Sequence, residues 1–241
     1  MTQASPHLTP GVSRLVRALN ELQVADDTVS HKQFGQRLAQ LIDLADSINI
    51  SSAHGKLRSM AFEPVTGSNE AIKQEFLRAR TALIEPVIKS FDPASGHSRL
   101  KLPLPEEPTA AVDKAHAAAP YLSFYTAHQR QIDVKVQRLQ ILVRDAVAGL
   151  SPELAQLCAL DTALGDTLVV HSRKFFAVIP QLLEQYFDRL LQQNQGQWQQ
   201  LHQQLCSKMQ ELLLAEIEAR LLPALGLIEA TNEHSDNTKH E

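Results

Sequence analysis

Along most of this chain, apolar residues recur at intervals of three and four, the period of one face of an α-helix. Val12, Leu15, Val16, Leu19 and Leu22 form such a face. Thr9-Pro10 ahead of them suits an N-cap followed by proline at the first helical position. Phe34, Leu38, Leu41, Ile42 and Ala45 repeat the stripe behind a second capping residue, Ser30. The segment 47–60 is less regular. Ile48-Asn49-Ile50 has β character, but Ser51, Ala53 and Leu57 fit a helix, and a short helix is predicted there. After a turn around Pro64 and Gly67, Ser68 caps a helix reaching about residue 91, with Ile72, Phe76, Ala79, Leu83 and Val87 on one side. Pro86 lies inside it and is expected to kink or break it, because an interior proline costs about 3 kcal/mol.

The segment 92–108 holds Pro93, Gly96, Pro103, Pro105 and Pro108 and few apolar anchors, which reads as a linker. The expected organisation is an N-terminal helical subdomain over residues 1–91, a proline-rich linker over 92–119, long helices over 120–230, and a polar, disordered tail over 231–241. In the C-terminal part, Tyr125, Ile132, Val136, Leu139, Val143, Ala146 and Leu150 step by seven and then by four and three, a coiled-coil-like seam. Gly149 ends that helix, and Ser151-Pro152-Glu153 starts another with cap, proline and early acid in order. So short a break predicts an antiparallel hairpin. The second helix carries the rhythm through Leu154, Leu157, Asp161, Leu164, Leu168, His171, Phe175, Val178 and Leu182, towards residue 195, with Pro180 inside it. A third stretch follows through Trp198, Leu201, Leu205, Met209, Leu212, Ala219 and Leu222.

These lengths set an expectation about shape. A helix of 44 residues spans about 66 Å, whereas a compact sphere of this chain length is roughly 45 Å across. An elongated all-α bundle is predicted, with apolar seam left for a partner or a second copy to cover.

Composition sharpens this picture modestly. Aromatic residues are 5% and glycines number 9, while Leu, Ala and Gln dominate, which favours helix over strand. A net charge of −4 argues against a generic nucleic-acid binder; the most basic stretch, 130–144, is diluted by Asp133 and Asp145 at its end and reads as a solvated face. The two cysteines, Cys158 and Cys206, fall in helical patterns and read as buried free thiols rather than a disulfide framework. Residues 1–10 show no basic segment followed by an apolar run, and no run of about 18 apolar residues occurs. A cytoplasmic protein without a membrane span is expected.

The motifs of common enzyme classes are absent. No Glu-x-x-His or His-Glu-x-x-His occurs, the cysteines are too far apart for a zinc clip, and Asp113-x-x-His116 is the nearest pair on a helical turn. Ala53-His54-Gly55-Lys56 lacks the upstream glycine of a phosphate loop, and there is no Gly-x-Ser-x-Gly elbow. No catalytic residue, cofactor or metal site is predicted. Asp161 and His171 interrupt the seam; ten residues apart, they lie about 15 Å apart on one helix and cannot bond each other. They read as register marks, or as residues facing solvent where a partner helix falls away, rather than as a buried pH-sensing pair. Trp198, within the glutamine-rich 192–204, is either core or an anchor for a partner.

Three segments together carry a resemblance: Ser13-Arg14-Leu15-Val16 with Phe34-Gly35-Gln36-Arg37-Leu38, the run 125–143 around His128-Gln129-Arg130, and Ser151-Pro152-Glu153-Leu154 on to Asp161. They look like an uncharacterised proteobacterial family, a domain of unknown function, over residues 10–222. Members of that family are encoded near envelope proteins resembling TolQ/MotA-type proton channels and OmpA-like proteins. The resemblance implies a cytoplasmic accessory of a membrane-anchored assembly and carries no site residues.

The function expected from the sequence is that of a non-enzymatic helical interaction or scaffold protein, binding a protein partner or itself through Leu164, Leu168, Phe175, Trp198 and Leu205. Two alternatives stand beside it: a ligand or enzyme pocket between helices lined by His128, His171 and Asp161, and a DNA-associated regulator.

Overall fold

The computed structural model describes residues 13–22, 47, 50–52, 54–55, 62, 64, 67–92, 100–104, 117–194 and 197–237. The helix starts expected at Thr9-Pro10 and Ser30 lie outside these residues, as do Asn49, Lys56, Asp113 and His116. The protein is all-α. Five helices organise the described residues: α1 (Arg14–Leu22), α2 (Asn69–Ser90), α3 (Ala119–Ala148), α4 (Pro152–Gln193) and α5 (Trp198–Asn237). The described residues between 47 and 55 are also helical, as the short-helix reading of that segment anticipates.

Local chemistry sets the helix starts where the sequence marks them. Ser68 is extended and its side chain accepts from Ala71 N. Ser151 does the same for Leu154 N, with Pro152 at the first helical position and Glu153 in the first turn, where a carboxylate meets the positive end of the helix dipole. Gly149 closes α3. Proline breaks none of the helices that contain it. α2 passes through Pro86, α4 through Pro180 and α5 through Pro223. The packing around each helix outweighs the one hydrogen bond that a proline removes.

Pairs of contacts fix the directions. Arg144 on α3 meets Asp161 on α4, and Gln129, fifteen positions earlier, meets Phe176, fifteen positions later. These two helices are therefore antiparallel, the predicted hairpin. Tyr121 meets His202 and Gln140 meets Arg220, so α5 runs parallel to α3. Arg14 pairs with Glu218 and Lys208 with Glu21, which sets α1 antiparallel to α5. Lys135 reaches Ala82 O and His128 reaches Ser90, so α2 runs against α3.

The last helix holds the assembly together. α5 touches each of the other four helices, and Leu212, Leu213, Ala215, Glu216 and Ile217 are all buried. Between Leu212 and Ile217 the buried surface of α5 is wider than one stripe, because neighbouring helices pack on several sides of it. This is why the single stripe expected through Ala219 and Leu222 fails beyond Leu212: Leu222 is exposed, whereas Leu221, Ala224, Leu227 and Ile228 are buried. The helix also runs to Asn237, into the stretch expected to be a disordered tail. Thr231 there is buried, donates to Ile228 O, and accepts from Asn69 Nδ2 at 2.9 Å through its carbonyl. Residues of α1 and α2 share one hydrophobic core with α3, α4 and α5.

Candidate functional site

Two features stand out from this frame: a carboxylate inside the core, and an apolar row outside it.

The carboxylate belongs to Glu216, none of whose side chain is exposed. Tyr125, Gln129 and Asp133 recur at four-residue spacing on α3, and Glu216 and Arg220 do so on α5, so each set occupies one helix face. Tyr125 OH donates to Glu216 Oε1 at 2.5 Å and Gln129 Nε2 donates to the same atom at 2.8 Å. Arg220 Nη2 donates to Glu216 Oε2 at 2.9 Å, and Nη1 to Asp133 Oδ1 at 2.8 Å. The Arg220 guanidinium also lies over the Phe176 ring, 3.8 Å from its centroid, a cation–π contact. Burial still pushes the Glu216 carboxyl above its ordinary value, against the pull of Arg220 and three hydrogen bonds. Burial and the neighbouring carboxylate push Tyr125 well up, so its phenol stays the donor. The network joins α3, α4 and α5. Its chemistry is that of a structural clasp. Sequence reasoning missed Glu216; the legible signal is a carboxylate embedded in the run Leu212-Leu213-Leu214-Ala215-Glu216-Ile217.

Two histidines make close polar contacts, His128 buried and His202 half-buried. His128 lies between the rings of Phe91 and Phe124, and its Nε2 is 2.9 Å from Ser90 Oγ. The Ser90 hydroxyl proton is already given to Val87 O at 2.7 Å, so Nε2 carries the hydrogen and donates to Ser90. Burial lowers the pKa of His128 to about 4. His202 accepts or donates at Nδ1 to Tyr121 OH at 2.7 Å, beside Cys206. Burial raises the Cys206 thiol to about 12 and Cys158 to about 11. Both cysteines are free, as expected, and neither is an activated nucleophile.

The apolar row lies on α4. Among the described residues, no side chain between Cys158 and Ile179 is buried. Within that interval Leu164 is 41%, Phe175 47% and Val178 45% exposed, with Leu157 at 38% just before it. Leu168 on the same row is half-buried. At several places the core instead takes the residue after a member of the expected seam: Cys158 after Leu157, Ile179 after Val178, Leu183 after Leu182, with Phe176 after Phe175 packed against it, whereas Leu154 is itself core. One residue turns a helix by about 100°, so Leu157, Leu164, Phe175 and Val178 turn away from the core, while Leu154 and Leu182 towards the two ends still meet it. Gly165, following Leu164, makes room for Arg144, whose Nη2 lies 3.3 Å from where a Cβ would stand. Arg144 in turn donates through Nε to Asp161 Oδ2 at 2.6 Å.

The structure thus brings Leu164, Leu168 and Phe175 together on one outward row and places Trp198 and Leu205 elsewhere. Leu205 is core, and Trp198 packs edge-on to Phe187 at 6.0 Å. The trio His128, His171 and Asp161 does not converge. His128 and Arg144 are 16 positions apart on α3, about 24 Å along the axis, and Asp161 is bonded to Arg144. Among the described residues no group of three or more His, Cys, Asp or Glu side chains could hold a metal, and no helix is long and apolar enough to cross a membrane.

Fold and site together define an all-α protein with a buried core and, among the described residues, a half-exposed apolar row on α4. Its family follows from comparison with known proteins: the chain belongs to the family described as "Protein of unknown function (DUF3348)", whose model matches residues 1–233. No curated protein and no solved structure matches it.

Proposed function

We propose that this chain is a non-enzymatic helical interaction protein that binds a partner helix along the α4 row of Leu157, Leu164, Leu168 and Phe175. The observation that supports this reading is the stretch of α4 between Cys158 and Ile179, whose apolar residues stay half-exposed while both ends of the helix are buried. Apolar anchors at seven- and four-residue spacing are the pattern by which one helix recognises another. The resemblance described above points to a cytoplasmic accessory of a membrane-anchored assembly, so the partner is sought in both soluble and detergent-solubilised membrane fractions.

The test is affinity capture from native cells, with the wild type beside a Leu164→Glu/Phe175→Glu double variant. Stoichiometric recovery of a helix-rich partner by the wild type, lost in the variant while circular dichroism is unchanged, is the expected result. Equal recovery by both would place the binding surface elsewhere; loss of helicity in the variant would make the row part of the core.

A further inference from the structure

We infer that the occupant of the α4 row is a second copy of the same helix, lying antiparallel about a two-fold axis at Asp166. The inference rests on the proposed use of this row and names its partner. In heptad terms Leu157, Leu164, His171 and Val178 occupy d positions, and Asp161, Leu168 and Phe175 occupy a positions. In an antiparallel pair, each a position faces a d position of the other helix. A two-fold interface requires that if one residue meets another, the second meets the first. With the axis at Asp166, Leu157 faces Phe175 of the other copy, Leu164 faces Leu168, and Asp161 faces His171. Apolar layers meet apolar layers, and the two polar interruptions meet each other.

No other register does this. A shift of the axis by half a heptad towards the C-terminus sets Asp161 against Val178 and His171 against Leu168. A shift the other way sets Asp161 against Leu164 and His171 against Leu154. Polar groups at seam positions fix register because misplacing them buries them against hydrocarbon. Asp161 and His171 cannot reach one another within one chain, about 15 Å apart along the axis, yet across this axis they are neighbours. Arg144 holds Asp161 through Oδ2, and a carboxylate has capacity for several donors, so the His171 ring can join the same group. Gly165 and Thr167 flank the axis without charge or bulk, and the only charged g position in the uncovered stretch, Lys174, falls beside Leu160 of the other copy rather than beside another lysine.

The paired length, 157 to 175, is about 27 Å of helix, short against an obligate interface, so the dimer is concentration-dependent. The full-length chain is examined by sedimentation from about 1 μM to about 1 mM. The wild type is expected to move from one chain to two over this range. Leu164→Glu is expected to stay at one chain with unchanged helicity. Mixing Leu164→Glu with Leu168→Lys is expected to restore the two-chain species, because residue 164 of one copy then faces residue 168 of the other with opposite charge.

A wild type that remains a single chain throughout overturns the inference; if Leu164→Glu then still abolishes capture of a foreign protein, the interaction reading survives it. A dimer that persists in Leu164→Glu puts self-association on another surface. Restoration by Phe175→Lys but not by Leu168→Lys moves the axis and overturns the register. If charged substitutions on the row change neither mass nor capture, both readings fall.

Discussion

Glu216 and Arg220, one helical turn apart on α5, share a hydrogen bond of 2.9 Å in a place where the Glu216 side chain has no contact with solvent. The pair is worth little as a net source of stability, since desolvating two charges offsets most of their attraction. Its asymmetry is what matters: one partner without the other leaves a bare charge inside the core.

Arg220→Ala is therefore expected to cost about 3–5 kcal/mol, because it strips Glu216 of its counter-charge and leaves Asp133 with Gln137 as its donor. Glu216→Gln retains the shape and an acceptor oxygen for Tyr125, and is expected to cost clearly less. Urea denaturation of the two variants reads the difference; equal losses would show that the network is not governed by charge.

The pH dependence carries two opposed contributions. His128 has its pKa lowered to about 4 from 6.5 in the native state. Between those values the unfolded chain binds more protons, so stability falls as the pH falls. Glu216 is raised above 4.5; in the window above that value the native state binds more protons, so its contribution falls as the pH rises. His128→Asn is expected to flatten the acid-side loss between pH 6.5 and about 4, and Glu216→Gln to steepen it. Denaturation midpoints across that range check both signs.

Gly165→Ala tests the space beside Arg144. The added Cβ would stand 3.3 Å from Arg144 Nη2, the far end of a flexible side chain that can shift. Relief of the glycine penalty within a helix is expected to stabilise the fold by about 0.5–1 kcal/mol. A lower melting temperature would mean that the Arg144–Asp161 pair cannot adjust.

Leu213→Ala and Leu164→Ala separate core from row. Leu213 is fully buried, and its truncation is expected to cost about 2–5 kcal/mol, including the cavity it leaves. Leu164 is 41% exposed, and its truncation is expected to cost less than about 1 kcal/mol. Comparable losses would show that the row is covered within the monomer.

Much of this architecture is legible in the sequence. Ser68, Gly149 and Ser151-Pro152-Glu153 mark helix ends through chemistry that acts within one turn, and that chemistry is local enough to be read directly. The phase of α4 is not legible in the same way. Its helix carries two adjacent apolar rows, one through Leu157, Leu164 and Phe175 and one through Cys158, Phe176, Ile179 and Leu183, and periodicity alone does not choose between them. Packing against α3 and α5 decides. The position of α5 is hidden for a related reason. In its middle α5 buries more than one stripe, so a one-stripe reading loses Leu213, Ile217 and Glu216 and misassigns Leu222. Nor does spacing separate Leu164 from Leu205; burial in three dimensions does.

α4 is seated in the core at Leu154 and Cys158 and again from Ile179 to Leu190, with few anchors between. It resembles a beam clamped at both ends. Local opening needs only the side chains that a segment itself buries, so the backbone amides of the span are expected to exchange with deuterated solvent well before those of α5. A span held in this way is expected to open while the five-helix core around Glu216 stays shut.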